Sequence, residues 1–236
     1  MALDVTWIRG GIENAYLLVG DKIALVDTLA PKGFPRIEKA LAEKGLKVDD
    51  IDLILVTHHH YDHVGNLAKI KEASGATVIA GEADAPYIEG TSTPPAISDL
   101  NRVGRMLGHL PEPWLRGYQT FKHVKVDRTV KGGEVIDELG LEVLVLPGHT
   151  PGGIGFLDGE GKRAFVGDLV SNYFGRAGLP VLSASCSLED IFASQEMLAG
   201  LGLETAYPGH GRIIERNASR MIAECASKKR AKLIPG

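Results

Sequence analysis

The stretch Thr57-His58-His59-His60-Tyr61-Asp62-His63 gathers four of the chain's eight histidines and a carboxylate within a few positions. Imidazoles this crowded repel one another when protonated, so the grouping is costly unless a cation organises it. The preceding run, Ile51 to Val56, is short, apolar and rich in β-branched residues, which predicts a buried strand delivering the histidines at its carboxyl end. In extended chain His58 and His60 share one side, and His59 points to the other and is left out of the ligand set. Asp62 and His63 fall where the chain turns into a helix predicted over His63 to Ala73, and they approach the same pocket from a second direction. Singly, such a histidine can satisfy a carbonyl and such an aspartate can cap a helix. The whole cluster reads as a metal site.

Three later segments each end an apolar run with one more donor. Leu141 to Leu146 leads into Pro147-Gly148-His149-Thr150, Arg163 to Val166 into Gly167-Asp168, and Thr205 to Tyr207 into Pro208-Gly209-His210-Gly211. Each reads as a strand followed by a tight turn, with small neighbours that let the backbone bend and approach a bound group. The donors are imidazoles and carboxylates without a thiolate, a set that suits zinc and admits iron, manganese or cobalt. Two such ions about 3.5 to 4 Å apart can share a hydroxide and polarise the oxygen of the group it attacks.

In this combination and order the chain resembles the metallo-β-lactamase-fold hydrolase superfamily, and within it the glyoxalase II-like dinuclear branch, over nearly its whole length to His210. The resemblance implies an α+β fold, an αββα sandwich with metals at one strand edge. It implies that His58, His60 and His149 hold a first metal, that Asp62, His63 and His210 hold a second, and that Asp168 bridges them. Asp62 and Asp168 are then the catalytic carboxylates, and the cofactor is two divalent cations, zinc foremost, with iron or manganese admitted. A bridging carboxylate marks the hydrolase-type sites, whereas the antibiotic lactamases carry a cysteine at the second metal or lack the bridge. Histidine at position 60, where the di-iron oxygen-reducing members have glutamate, also argues for hydrolysis. The implied reaction is attack by a metal-bridging hydroxide on a small ester, thioester, lactone or phosphoester. Two readings stand beside it: a mononuclear-iron dioxygenase acting on a persulfide, and a binding protein that has kept the fold.

The elements that must position these donors alternate along the chain. Strands are expected at Asn14 to Val19 and Lys22 to Asp27 around the turn Gly20-Asp21, at Thr77 to Ala80, at Val124 to Val130, and as a hairpin within Leu141 to Leu157. Helices are expected at Gly33 to Lys44, Leu188 to Leu201 and Glu215 to Ala226. With 44% hydrophobic residues, no long apolar run, no repeat and no linker, residues 1 to 236 read as one domain that does not span a membrane. Met1 to Gly10 lacks the basic flank and apolar segment of a signal peptide, so the cytoplasm is expected. Cys186 and Cys225 form no framework and are expected to be buried small side chains. Thr150 and Asp27 are candidates to hold the outer ring nitrogens of the ligating histidines.

Residues 86 to 122 depart from this regularity. Five prolines there accompany an amphipathic stripe of Ile97, Leu100, Val103, Leu107 and Leu110 and the aromatics Trp114, Tyr118 and Phe121. This helical insertion reads either as a lid that walls the site and selects substrates or as packing against the sandwich or a second subunit in a homodimer. Trp114, Tyr118, Phe121 and, further on, Tyr173 are the candidate substrate contacts. From Leu100 to Gly133 seven Lys or Arg stand against Glu112 and Asp127, a local excess of +5 in a chain of net charge −4 that would favour an anionic substrate. The substrate class is a small molecule. The RNA-processing relatives add extra domains or an exosite arm that is not evident in this sequence, and the overall charge is acidic, so no nucleic-acid partner is expected. The glutathione-thioester hydrolases of the family carry a helical C-terminal domain, and here 26 residues follow His210, which argues against glutathione.

Overall fold

Apolar alternating runs pair into two sheets. The first contains Asp4–Arg9 (β1), Asn14–Val19 (β2), Ile23–Val26 (β3), Leu53–Val56 (β4), Thr77–Gly81 (β5) and Arg128–Val130 (β6), in that order. β1, β2 and β3 pair antiparallel, and β4, β5 and β6 add in parallel. The second contains Val135–Ile136 (β7), Leu141–Val145 (β8), Ile154–Asp158 (β9), Arg163–Asn172 (β10) and Thr205–Gly211 (β11), in the order β11-β10-β9-β8-β7, with only the β10/β11 pair parallel. The computed structural model describes residues 3–94, 97–110, 120–158 and 162–234.

Strand alternation sends successive side chains to opposite faces, and both faces of each sheet are covered. Tyr16, Leu18, Val26, Leu55 and Ile79 of the first sheet meet Leu141, Val143, Phe156 and Phe165 of the second in a shared core. The outer face of the first sheet, with Leu17, Leu25, Ile54 and Val78, packs on Phe34–Glu43 (α1) and Leu67–Ser74 (α3) through Ile37, Leu41, Leu67 and Ile70. Leu144, Leu157 and Val166 face Leu188–Gly200 (α6) and Ala218–Leu233 (α7) through Ile191, Leu198 and Ile222. Burying each such side chain contributes about 1.5 to 3 kcal/mol. The layers are helix, sheet, sheet, helix, as the resemblance implied. Short helices at Tyr61–Val64 (α2), Ala85–Ile88 (α4) and Arg102–Leu107 (α5), with single 3-10 turns at Pro31–Gly33, Val48–Asp50 and Leu182–Ala184, complete the described elements. Among the described residues no helix is long and apolar enough to cross a membrane.

Several expected boundaries move, each for a local reason. The helix expected over His63 to Ala73 is broken into α2 and α3, because the His63 carbonyl accepts from the amide and hydroxyl of Thr28 (2.7 and 2.9 Å) and leaves the helical ladder. Asp168 and His210 do not follow their strands but lie inside them: β10 runs on through register shifts around Gly167, whose φ is +51°, and β11 reaches Gly211. Asn14 and Tyr16 of β2 hold that extension by donating to the carbonyls of Pro208 and Gly211. The strand expected from Val124 starts only at Arg128, and the last helix begins later and runs further than expected, to Leu233. Cys225 is buried, but Cys186 is exposed: its amide donates to Gly148 in a turn that leaves the side chain outside.

Candidate metal centre

Four strands and one short helix converge on one edge of the sandwich. β4 delivers His58 and His60, α2 carries Asp62 and His63, the turn after β8 carries His149, and the bulged parts of β10 and β11 carry Asp168 and His210. Two glycines make the approach possible. Gly148 adopts φ +123°, and a Cβ on Gly209 would lie 2.1 Å from Asp168 Oδ1 and 2.8 Å from His63 Cε1.

The donors sort into the trios His58, His60, His149 and Asp62, His63, His210, each with potential ligand atoms within 4.8 Å of one another. Asp168 stands between them: Oδ2 lies 3.3 Å from His149 Nε2 and 3.1 Å from His210 Nε2, while Oδ1 lies 3.3 Å from His63 Nε2. Asp62 Oδ2 is 3.3 Å from His210 Nε2, and the Nε2 atoms of His63 and His210 are 3.5 Å apart. A third trio, Asp27, His58 and His63, also lies within that range, but it is a hydrogen-bonded support, because Asp27 Oδ2 accepts from His63 Nδ1 (2.9 Å) and from Thr57 Oγ1 (2.7 Å).

The hydrogen bonds behind the rings test whether these residues suit metal. Thr57 Oγ1 gives its proton to Asp27 and so accepts from His58 Nδ1 (3.0 Å). Ser185 Oγ gives its proton to the Val181 carbonyl (2.9 Å) and so accepts from His149 Nδ1 (2.9 Å). His210 Nδ1 donates to the Ile12 carbonyl (3.0 Å), and His63 Nδ1 to Asp27. Each bond fixes a proton on Nδ1 and turns the Nε2 lone pair inward, the tautomer a cation requires. His58 Nε2, His149 Nε2 and Asp168 Oδ1 are buried with no hydrogen-bond partner, a state that would be expensive without an ion to use those lone pairs. The residues fit a metal centre. Of the two outer candidates, Asp27 takes that role, whereas the Thr150 hydroxyl is buried without a partner.

Charge divides the histidines. Burial and neighbouring imidazoles hold His58 and His60 well below the ordinary imidazole range. Burial also opposes charge on His63 and His210, but the carboxylates of Asp168 and Asp62 outweigh it, holding His63 well above that range and pushing His210 up to about 12. Asp168 is held well below the usual carboxylate range: its burial is overcome by His210 and His63. Protons on His63 and His210 thus occupy the positions a cation would take.

Beside the centre opens a cavity of about 220 Å³. Phe121 and Tyr173 line it, as do Asp62, His60, His149, Asp168 and His210. Trp114 and Tyr118 lie outside the described residues. Leu107, on the stripe of the expected lid, lines the cavity too; sequence reasoning missed the walls Ile12 and Val181, which belong to separate segments and share no local pattern. It also missed Asp84, fully buried, which ties His59 to the His149 turn. Asp84 Oδ2 accepts from the amide and Nδ1 of His59 (2.9 and 2.8 Å), and Oδ1 from the Gly152 amide (2.7 Å). His59 stands outside both ligand trios, facing Asp84 and the ring of Tyr87.

Histidine and aspartate trios joined by a carboxylate, set on the strand ends of this sandwich, define a metallo-hydrolase. The sequence profile of the metallo-beta-lactamase superfamily matches residues 8–210, and the chain belongs to that superfamily. A hydroxyacylglutathione hydrolase of Brucella ovis is 30% identical over 233 residues, covering 94% of this chain and 72% of the relative, which supports the glyoxalase II-like branch. A metallo-beta-lactamase family protein from Thermus thermophilus superposes with a TM-score of 0.72 at 25% identity, covering 100% of this chain and 83% of that one. The protein TTHA1623, solved in a di-iron-bound form, matches with a TM-score of 0.63 at 31% identity, covering 87% of this chain and 91% of its own.

Proposed function

We propose that this chain is a dinuclear metal-dependent hydrolase of a small ester, thioester, lactone or phosphoester. The observation that carries the reading is the place of Asp168, with one oxygen against His149 and His210 and the other against His63, so that one carboxylate touches both trios. His58, His60 and His149 would hold one cation and Asp62, His63 and His210 the other. Bound there, two divalent cations supply Lewis acidity and lower the pKa of water toward neutrality.

The chain's own residues do the rest. Asp168 fixes the spacing of the two trios. Asp62 lines the cavity with its carboxylate turned to His210, where it can orient an attacking water and hold its proton. Asp27, Thr57, Ser185 and the Ile12 carbonyl keep four imidazoles in the metal-binding tautomer, so little reorganisation is needed when charge develops. From the 86 to 122 stretch, Pro94, Ile97, Leu107 and Phe121 line the cavity beside the site. The donor chemistry makes zinc the first candidate, and the di-iron form of TTHA1623 keeps iron in view.

The test is a panel of lactones, thioesters, aryl esters and phosphotriesters offered to metal-loaded protein, with chelated protein and Asp168→Ala beside it. Hydrolysis of at least one class that disappears in both controls supports the reading. Turnover of none, or turnover indifferent to chelation, contradicts it.

A further inference from the structure

We infer that the cavity beside the metal centre selects an uncharged substrate with an extended aliphatic arm, so that among esters, thioesters and lactones medium-length neutral acyl groups are preferred over short ones and over anionic ones of equal length. The inference rests on the hydrolase reading above and names its substrate class.

Beyond the groups that face the metals, Ile12, Ile97, Leu107, Phe121, Tyr173 and Val181 make up most of the wall, and Tyr61 and Ser183 add hydroxyls to it. The former come from four separate stretches of chain, so their convergence is not the by-product of one amphipathic helix. Ile12 and Val181 are 67% and 51% exposed, so the apolar surface continues from the cavity to its mouth. Single exposed apolar side chains are ordinary, but several meeting at a cleft beside a reactive centre form a surface that a ligand gains by covering.

Among the described residues, the basic side chains of the 100 to 133 segment do not reach this cavity. Among the described lining residues there is no lysine or arginine. Lys122 pairs with Glu72, Arg128 with Glu138 and Lys131 with Glu82, while Arg105 donates to the Asp99 carbonyl. An anionic group on the substrate arm would lose hydration against Ile97, Leu107 and Val181 and find no cationic partner there. The expectation of an anionic substrate, read from charge along the sequence, therefore gives way to a neutral one.

The test compares thioesters or aryl esters with acyl groups of two, four, six and eight carbons, each longer member paired with a twin ending in a carboxylate. In parallel, binding of non-hydrolysable N-alkyl acetamides of the same lengths to metal-loaded protein is measured by calorimetry. The expected result is a kcat/KM that climbs with chain length by up to about fourfold per methylene, with the carboxylate twins lower by about tenfold or more. Amide affinity should climb in the same way. Val181→Lys, at an exposed position, and Leu107→Lys, at a half-buried one where the long side chain can reach solvent, should flatten both series and narrow the gap to the anionic twins. Hydrolysis with flat series, equal rates for the anionic twins, or no effect of either variant overturns the inference and leaves the hydrolase reading standing. Affinity that climbs with length while no ester, thioester or lactone is cleaved upholds the apolar arm and overturns the hydrolase reading. Flat affinity with no cleavage overturns both.

Discussion

Oδ2 of Asp27 lies 2.9 Å from Nδ1 of His63 and 2.7 Å from the Thr57 hydroxyl, which itself accepts from Nδ1 of His58. One carboxylate thus orients a histidine of each trio, and it does so from a backbone at φ +60°, a conformation unusual for aspartate. Asp27→Ala should weaken metal binding by about 10- to 100-fold at both positions. Competition titration against a chromophoric chelator measures this, and unchanged affinity would show that the outer hydrogen bonds are ornamental.

Asp84→Ala should damage the scaffold of the His58, His60, His149 trio. It strands the buried amides of His59 and Gly152, each at a cost of about 1 to 3 kcal/mol. His59→Ala removes only the ring bond and should cost less. Thermal unfolding of the two metal-free variants gives the order, and a larger loss for His59→Ala would contradict it.

The pH dependence of the metal-free protein follows from the two kinds of histidine. His63 and His210, raised in the folded state, contribute stability that is fully present below the unfolded imidazole value of about 6.5 and is lost as pH rises toward their folded values. His58 and His60, depressed, act oppositely: unfolding takes up protons below about 6.5, so their burial costs stability as pH falls. Stability should therefore peak near pH 6.5, to about a unit. Bound metal replaces the protons on His63 and His210, so the alkaline decline should flatten and metal affinity should rise with pH. Denaturant unfolding between pH 5 and 9, with and without metal, checks both parts. A metal-free protein that gains stability steadily up to pH 9 would refute the assignment.

Gly209→Ala puts a methyl 2.1 Å from Asp168 Oδ1, with backbone and buried imidazole close by and little room to yield. Overpacking of this kind costs about 1 to 3 kcal/mol, and here it falls on the shared carboxylate. The variant should fold and bind metal poorly, as elemental analysis beside circular dichroism would show. Wild-type metal content would mean that Asp168 is free to move aside.

The convergence of the histidine and aspartate donors was legible because four of them stand within one short stretch and the others follow apolar runs, a pattern that needs no long-range information. The αββα order followed from the resemblance those residues carry. What could not be read depends on partners distant in sequence. The continuation of β11 through His210 is held by Asn14 and Tyr16, 194 and 192 residues from the Pro208 carbonyl they share. Asp84, ahead of Pro86, looks like an ordinary helix cap, and only the fold brings Gly152 to it. The basic excess between Leu100 and Gly133 could not be placed from sequence, because composition along a segment does not say which way its side chains face: Lys122, Arg128 and Lys131 turn to surface carboxylates.

The central claim is that two cations share Asp168, and a stoichiometric titration of metal-free protein with zinc, read by elemental analysis after buffer exchange, tests it most directly. Seven donors are too many for one tetrahedral ion, so retention of about two ions per chain is expected, with Asp168→Ala weakening both. One ion per chain, unchanged by further zinc, manganese or iron and unaffected by Asp168→Ala, would contradict it.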